Sequence, residues 1–381
     1  MSGQKKILLL QLMSNGDCLY ATAVARQIKQ DFPGCHLTWA IAAFCKGILD
    51  NNPYVDTVRV IPDVSKANVN EVIAGLRKEA EEQKKSGELD EVFFTQVIDD
   101  NLANYDGSIR SSIFRGYGRP ITVPVTPVLR LSDTEKEKAA SFAAQFSLSG
   151  FKNVILFEFA PQSGQLAMTP ALALDMAAAI TKRTDTAIIL SSNIKIGDDN
   201  PQIIDGSALT LRETAALSHY CTLLLGCSSG ITWITTSDAA KRLPMVQMLD
   251  PYANWVNPIS RDFERFHLGT DTVIELYEIT GPKVIACVTD VLQEGFDAAR
   301  PRYQAPLPLQ FNTTRRSIYN MLCQLQFRPI AKHIRISIET FGWYPLLIKA
   351  IILGFVTAPF KLVYNTFKKR ILKSQQKKDN K

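Results

Sequence analysis

The chain of 381 residues contains 46% hydrophobic and 21% charged residues and carries a formal net charge of +6. These proportions are typical of globular proteins and exclude a disordered chain, and the length favours two domains with additional segments. A good part of the excess positive charge lies after Phe367. The rest of the chain is therefore nearly neutral, which argues against a nucleic-acid-binding protein.

Strand-like and helix-like patterns alternate along the first part of the chain. Apolar runs predict the strands, and apolar residues at helical spacing predict the helices. In chain order these are a strand at residues 7–12, a helix at 19–32, strands at 37–41 and 57–61, a helix at 69–85, and strands at 92–97 and 121–123. The alternation predicts a Rossmann-like N-terminal domain, residues 1–128, with a doubly wound parallel sheet.

A second series of the same kind follows a crossing segment, residues 129–150, in which a polar helix is predicted over 132–146. Its predicted strands are 153–159, 187–190, 222–225, 245–249 and 272–276, and its predicted helices are 171–183, 210–220 and 283–296. These elements predict a second Rossmann-like domain, residues 151–300. Two such α/β domains are expected to face each other across a cleft.

The tail, residues 301–381, belongs to neither series. From Trp343 onward it is dense in apolar residues, but Lys349, Pro359 and Lys361 interrupt the run before it reaches the length of a spanning helix. Aromatic residues, an apolar body and a basic end predict that 343–381 lies at a membrane surface. The alternative is a helix packed on the body and followed by a solvated basic end.

The cysteine and histidine residues indicate a compartment and argue against a metal. The seven cysteines are odd in number and lack any C-x-x-C spacing, which favours free thiols in a reducing compartment. The four histidines are dispersed, and no signal-peptide pattern precedes the first strand. We therefore expect a cytoplasmic protein that uses neither a metal nor another cofactor.

The first strand ends in a turn that opens a helix, at the sheet edge where open α/β folds bind ligands. The turn contains Ser14, Asn15, Gly16 and Asp17. The Asp17 carboxylate is suited to a general base, and it is equally suited to a helix cap. The three preceding residues provide polar contacts to a ligand or simply ordinary turn chemistry.

A second group of small and polar residues follows the predicted strand at 222–225. Ser228, Ser229, Gly230 and Thr232 are suited to a nucleotide-phosphate cradle at a helix start, although a plain turn uses the same residue types. Glu158 ends another apolar strand, where it binds a sugar or ribose hydroxyl or makes a structural hydrogen bond.

The loop after Glu158 contains no basic residue from 159 to 180, so any phosphate charge must be met by other groups. The neutral candidates are Gln162, Ser163 and Gln165. Arg212 and Lys195 are candidates from other loops.

The order of these features resembles glycosyltransferase family 9, the heptosyltransferase family of bacterial lipopolysaccharide assembly. The similarity runs from about residue 5 to 250 and leaves the tail uncovered. In the first half it lies in Lys6-Ile7-Leu8-Leu9-Leu10, Ser14-Asn15-Gly16-Asp17, Phe32-Pro33-Gly34 and Asn52-Pro53-Tyr54-Val55-Asp56. In the second half it lies in Asp205-Gly206, Leu211-Arg212-Glu213-Thr214-Ala215-Ala216-Leu217 and Leu224-Leu225-Gly226-Cys227-Ser228-Ser229-Gly230.

The resemblance implies the GT-B fold and a metal-independent, inverting transfer of a sugar from a nucleotide-sugar donor. It implies that the acceptor is a lipid-linked saccharide at the cytoplasmic face of the inner membrane. Asp17 matches the family's catalytic base, with Ser14, Asn15 and Gly16 at the acceptor. The implied donor-binding residues are Glu158, Gln162, Ser163, Gln165, Ser228, Ser229, Gly230 and Thr232.

The chain departs from the family pattern in two loops. The usual Asp-Ser-Gly followed by His is replaced by Ser228, Ser229 and Gly230 followed by Trp233, and the usual Lys-x-Trp-Pro is missing before residue 170. These losses favour an alternative, a noncatalytic descendant that binds a sugar nucleotide, a glycan or a partner enzyme. A nucleotide-sugar epimerase is a weaker alternative, because no G-x-G-x-x-G follows the first strand.

Overall fold

The computed structural model describes residues 4–161, 164, 166–252, 258–306 and 308–357. Residues up to Gln96 together with Ile113–Pro308 form one compact unit, which contains both predicted series of strands. Val97–Ser112 together with the described residues from Leu309 onward form a second unit. Three of the residues implied at the donor site, Gln162, Ser163 and Gln165, lie outside the described residues, as does the end of the tail.

The first sheet of the first unit has four parallel strands in the order β3-β2-β1-β4. The strands and helices are β1 (Lys6–Leu10), α1 (Asn15–Asp31), β2 (His36–Ala42), β3 (Thr57–Ile61), α2 (Val69–Ser86) and β4 (Glu91–Phe94), followed by α3 (Ile109–Tyr117) and α4 (Asp133–Gln145). Strand β1 lies at the centre and is almost entirely buried, as its uninterrupted apolar sequence predicts for a parallel sheet covered on both faces.

The second sheet has six parallel strands in the order β10-β9-β8-β5-β6-β7. Its strands are β5 (Asn153–Glu158), β6 (Thr186–Ser191), β7 (Ile203–Asp205), β8 (Leu223–Gly226), β9 (Met245–Met248) and β10 (Val273–Leu276). The helices are α5 (Pro170–Thr181), α6 (Leu211–Leu217), α7 (Gly230–Ile234), α8 (Ile259–Arg265), α9 (Gly281–Glu294) and α10 (Phe296–Tyr303). Phe157, Met176, Ile188 and Val288 belong to one buried core between this sheet and its helices. The prediction of two parallel-sheet α/β halves is confirmed.

The structure differs from the predicted elements in several places. No strand forms at 121–123, because the N–H groups of Thr122 and Val123 donate to the side-chain oxygen of Gln27 instead of to a neighbouring strand. Strand β7 was not predicted, since three residues carry too little pattern. Helix α1 begins at Asn15 rather than at residue 19, so Gly16 and Asp17 are helical.

The second unit contains α11 (Asn312–Cys323), α12 (Phe327–Phe341) and a further helix, α13, at residues 345–357. Its helices pack in two small apolar clusters, one around Ile318, Met321 and Ile330 and the other around Phe311 and Leu347. Among the described residues, no helix combines the length and the apolar character needed to cross a membrane.

Candidate active site

Asp17 occupies the third position of α1, directly beyond the carboxyl end of the central strand β1. Ser14 is the N-cap residue, but its side chain makes no capping bond. Instead, the Ser14 backbone N–H donates to the Asp17 carboxylate, which is one half of a capping box. Asp17 therefore does contact the helix start, although it is not itself the N-cap.

The surroundings of Asp17 change its acidity. Burial of the carboxyl group raises its pKa from the ordinary value of 3.8 to about 7, and the Ser14 hydrogen bond opposes this shift only in part. The residue as a whole is nevertheless partly exposed. A pKa near neutrality is the value at which a carboxylate is both ionised and basic enough to accept a proton during catalysis.

Two glutamines that were not among the predicted site residues hold the turn before Asp17. The Gln96 side-chain oxygen accepts hydrogen bonds from the backbone N–H groups of Leu12 (3.0 Å) and Met13 (2.9 Å). The Gln11 amide donates to the Met13 carbonyl at 3.0 Å. Both glutamines are buried, and each follows an apolar strand in the sequence. A buried amide at the ends of adjacent strands is the signal that points to them.

Glu158 lies in the second sheet at the end of β5 and is only 2% exposed. Its carboxylate accepts hydrogen bonds from the backbone N–H groups of Cys227 (3.3 Å), Ile231 (2.9 Å) and Thr232 (3.3 Å). It also accepts one from the Thr232 hydroxyl at 2.6 Å. The contacts of Glu158 are therefore structural hydrogen bonds, because its oxygens face the loop that follows β8.

The same loop is tightly packed on its inner side. The backbone N–H of Ser228, which has a positive φ of 54°, donates to the Gln247 side-chain oxygen at 2.7 Å. A Cβ atom at Gly226 would lie 2.3 Å from the Thr232 hydroxyl oxygen and 2.7 Å from the Gln247 amide nitrogen. Only glycine fits at Gly226, so the loop conformation depends on that residue.

The predicted donor residues of this loop thus differ in their accessibility. Ser228 and Thr232 are buried, and the Thr232 hydroxyl is bonded to Glu158. Ser229 and Gly230 remain partly exposed. Among the described residues of this loop, these two are the ones from the predicted donor set that a ligand can reach.

Arg212 was a candidate for the phosphate charge, but its guanidinium contacts other groups. It forms an ion pair with Glu135, with Nη2 2.9 Å from the carboxylate, and it donates to the Gly47 carbonyl at 2.9 Å. The Arg212 hydrogen bonds lower the pKa of Glu135 to about 2. Arg212 therefore ties the two halves of the first unit together. Lys195, the other candidate, is exposed.

Trp233 replaces the imidazole of the family pattern and brings the two halves together near Asp17. The Trp233 ring packs edge-on against Tyr20 of α1, with ring centroids 4.8 Å apart, and its indole N–H donates to the Ser228 carbonyl at 3.2 Å. A Cβ atom at Gly16 would lie 3.5 Å from the Trp233 ring. The indole is therefore a packing group that lies beside the first turn of α1.

Within the part of the chain that the structure describes, no cluster of three or more His, Cys, Asp or Glu side chains is arranged to hold a metal ion. The seven cysteines, all of which are described, are free thiols, and six of them are buried.

Comparison with solved structures identifies the architecture. A family 9 glycosyltransferase from Veillonella parvula DSM 2008 superposes with a TM-score of 0.53 and 17% identity, over 76% of this chain and 97% of that one. The E. coli ADP-heptose LPS heptosyltransferase II superposes with a TM-score of 0.50 and 14% identity, over 76% of this chain and 99% of that one. The chain has a GT-B fold. The predicted GT-B fold is confirmed. Within it Asp17 lies in the first half, and Glu158 and the loop that follows β8 lie in the second. No protein-family model and no curated protein matches the sequence.

Proposed function

We propose that the chain is a metal-independent, inverting glycosyltransferase in which Asp17 is the catalytic base. The proposal rests on one observation above the others. The Asp17 carboxyl group, with a pKa near 7 and on a residue that is partly exposed, lies at the carboxyl end of the first sheet in a fold that this chain shares with glycosyltransferases. A carboxylate with a pKa near the working pH is well suited to accept the proton of an attacking hydroxyl.

In the proposed reaction one bond to the anomeric carbon breaks as another forms. The acceptor hydroxyl attacks the anomeric carbon of the donor sugar, and the bond from that carbon to the nucleoside diphosphate breaks with inversion. The Asp17 carboxylate takes the hydroxyl proton as the new bond forms. Ser14 and Asn15, which lie before Asp17 and are not fully buried, contact the acceptor in this proposal.

We assign the donor to the second half and the acceptor to the first. Ser229 and Gly230, which are partly exposed, contribute polar groups to the donor site. Gln162, Ser163 and Gln165 are assigned to the same site from the sequence alone. The neighbour from E. coli is named for ADP-heptose, which supports a nucleotide-sugar donor. The Glu158 carboxylate already binds three N–H groups of the loop, so the diphosphate has to lie outside them.

We further propose that the acceptor is a lipid-linked saccharide of the lipopolysaccharide type and that the protein works on the cytoplasmic membrane face. The name of the E. coli neighbour includes LPS, which supports this acceptor class. The free, mostly buried thiols are typical of a reducing compartment, and the apolar and basic composition of 343–381 is typical of a peripheral membrane segment.

One observation favours a second candidate, a noncatalytic protein that keeps the fold to bind a sugar nucleotide, a glycan or a partner enzyme. The Glu158 carboxylate accepts hydrogen bonds from N–H groups that would otherwise be free to bind an anion. The loop that follows Glu158 in the sequence contains no basic residue. A protein without donor turnover has no need of those groups.

A donor screen followed by a transfer assay tests both candidates. Purified protein is melted with ADP-, GDP-, UDP-, CMP- and dTDP-sugars, since a ligand of the native state raises the melting temperature. The responding donor is then offered with lipid-linked saccharides. We expect Asp17→Asn to lower turnover by roughly 10²- to 10⁴-fold. The control is Asp133→Asn, whose side chain is 89% exposed in the first turn of another helix. Donor binding without transfer or donor hydrolysis supports the noncatalytic candidate, and full turnover by Asp17→Asn excludes Asp17 as the base.

A further inference from the structure

Helix α13 has an apolar face on each of two opposite sides. Its inner side is packed in the second unit, where Leu347 and Ala350 are buried. Gly354 approaches so closely that an added Cβ atom would lie 2.9 Å from the Ile318 side chain and 3.1 Å from the Arg315 carbonyl oxygen. The core of the unit is therefore complete on that side.

The opposite side of α13 carries Leu346, Lys349, Ile352 and Val356, at the spacing of one helical stripe. We call these residues the outer face. Leu346 is 49% exposed, Ile352 is 55% exposed and Val356 is 51% exposed. A surface helix whose inner side is already packed normally carries polar residues on its other side. Here, a single lysine interrupts the exposed apolar residues.

Two aromatic residues directly precede α13 in the sequence, and the second of them, Tyr344, also packs against Phe311 with ring centroids 5.9 Å apart. Trp343 is 77% exposed and Tyr344 is 39% exposed, and these two residue types are enriched where proteins meet the headgroup level of a bilayer. Two further exposed apolar residues of the second unit, Leu325 and Phe327, lie at the turn between α11 and α12. The contiguous exposed apolar residues are those of the outer face, and a contiguous apolar patch of this kind marks a binding surface.

The charge of the helix and of the sequence that follows it selects the occupant. Lys349 lies on the outer face itself and is exposed. The sequence that follows the described residues continues with Lys361 and the run Lys368-Lys369-Arg370, and its one acid is Asp379. Apolar side chains, interfacial aromatic residues and cations together match an anionic phospholipid bilayer.

We propose that the outer face of α13, with Trp343, is the surface by which this protein lies on an anionic phospholipid bilayer. The segment binds in the plane of the interface, with the apolar side chains in the headgroup region and Lys349 among the lipid phosphates. The purpose of this surface rests on the proposed function, because it brings the enzyme to a lipid-linked acceptor. The binding itself is measured without any transfer reaction.

Vesicle co-sedimentation of the full chain tests the proposal. Phosphatidylglycerol–phosphatidylethanolamine vesicles are compared with phosphatidylcholine vesicles, at low salt and at about 0.5 M NaCl, which screens the basic end but not apolar burial. The double variant Trp343→Ser/Ile352→Ser is compared with Tyr252→Ser/Ile194→Ser, which changes exposed residues of the same kinds in the first unit. All four substituted positions are exposed, so both variants are expected to fold, and their melting temperatures check this.

We expect wild type to prefer the anionic vesicles, and the double variant to lose about tenfold in partition at high salt while the control variant loses nothing. Brominated lipid is expected to quench wild-type fluorescence more than that of Trp343→Phe. If the double variant binds the vesicles as well as wild type does, the proposal is overturned. It is also overturned if wild type self-associates and the double variant does not, since the outer face then binds a second copy of the chain. Asp17→Asn is expected to bind vesicles normally, so a failure of transfer and a failure of docking are seen separately.

Discussion

The replacement of Asp17 by asparagine changes the stability of the protein in a direction that depends on pH. The native carboxyl group holds its proton up to a pKa of about 7, whereas the same group in the unfolded chain has the ordinary value of 3.8. Between these two values the folded state binds more protons than the unfolded state does. The free energy of unfolding of wild type therefore falls as pH rises through this window. Asparagine does not titrate, so the variant lacks this loss.

The size of the effect follows from the two pKa values. A difference of about 3 in pKa corresponds to roughly 4 kcal/mol when the group is fully shielded from water. Asp17 is partly accessible, so solvent reduces the effect, and we expect about 2–4 kcal/mol. For a unit of this size, each kcal/mol changes the melting temperature by roughly 2–4 °C. Asn also keeps a side-chain oxygen that can accept the Ser14 N–H, so the helix start is retained.

The assay compares the melting temperatures of wild type and Asp17→Asn at about pH 4.5, 6 and 8. We expect the variant to gain on wild type by several degrees between the lowest and the highest pH, since the effects of all other titrating groups cancel in the difference. Asp133→Asn, with its exposed carboxylate, is expected to show no such trend. If the difference in melting temperature between variant and wild type stays constant across the three pH values, burial does not raise the pKa of Asp17. The main support for a base with a pKa near neutrality is then lost.

Three further outcomes are expected. Gly226→Ala places a Cβ atom 2.3 Å from the Thr232 hydroxyl and lowers the free energy of unfolding by more than about 2 kcal/mol, whereas Gly230→Ala, with no atom within 4 Å, changes it by less than about 1 kcal/mol in urea unfolding. Glu158→Ala leaves the N–H groups of the buried Cys227 and Thr232, that of the partly exposed Ile231, and the Thr232 hydroxyl without their acceptor and costs roughly 3–5 kcal/mol. Glu158→Gln, which keeps an acceptor oxygen, costs less in the same measurement. Burial lowers the pKa of His333 in the second unit to about 4 from an ordinary 6.5, so the unfolded state binds more protons between these values. The free energy of unfolding of the unit therefore falls by up to about 3 kcal/mol as pH falls from 6.5 to 4. Proteolysis of α12 as a function of pH measures this loss, and His333→Gln is expected to show no such pH dependence.

The two parallel sheets were predictable from the sequence for a simple physical reason. Strands such as β1 and β5 are buried on both faces, so their sequences are continuous apolar runs that stand out from the amphipathic helices between them. The start of α1 was harder to predict. Asn15, Gly16 and Asp17 are all typical turn residues, and the helix includes them because the chain turns at Ser14 instead.

The part of the candidate site that depends on a single residue was predictable from the sequence. The contacts between residues that are distant in the sequence were not. Asp17 follows the first strand, so its position alone indicates a role. The partners of Glu158 lie about 70 positions further along the chain, and those of Gln96 lie more than 80 positions before it. No local pattern reports such contacts. For that reason the sequence left a ligand role and a structural role for Glu158 equally open.

The loop that follows β8 and donates to the Glu158 carboxylate also has a consequence for how the protein behaves without a ligand. In many anion-binding loops the backbone amides have no partner until the anion arrives, and the loop becomes ordered on binding. Here, Cys227, Ile231 and Thr232 already donate to a carboxylate from the same chain. Their amide protons are expected to exchange slowly in the ligand-free protein and to gain little protection when a sugar nucleotide is added. The loop is thus preorganised by its hydrogen bonds to Glu158, and a ligand binds it without a change in its conformation.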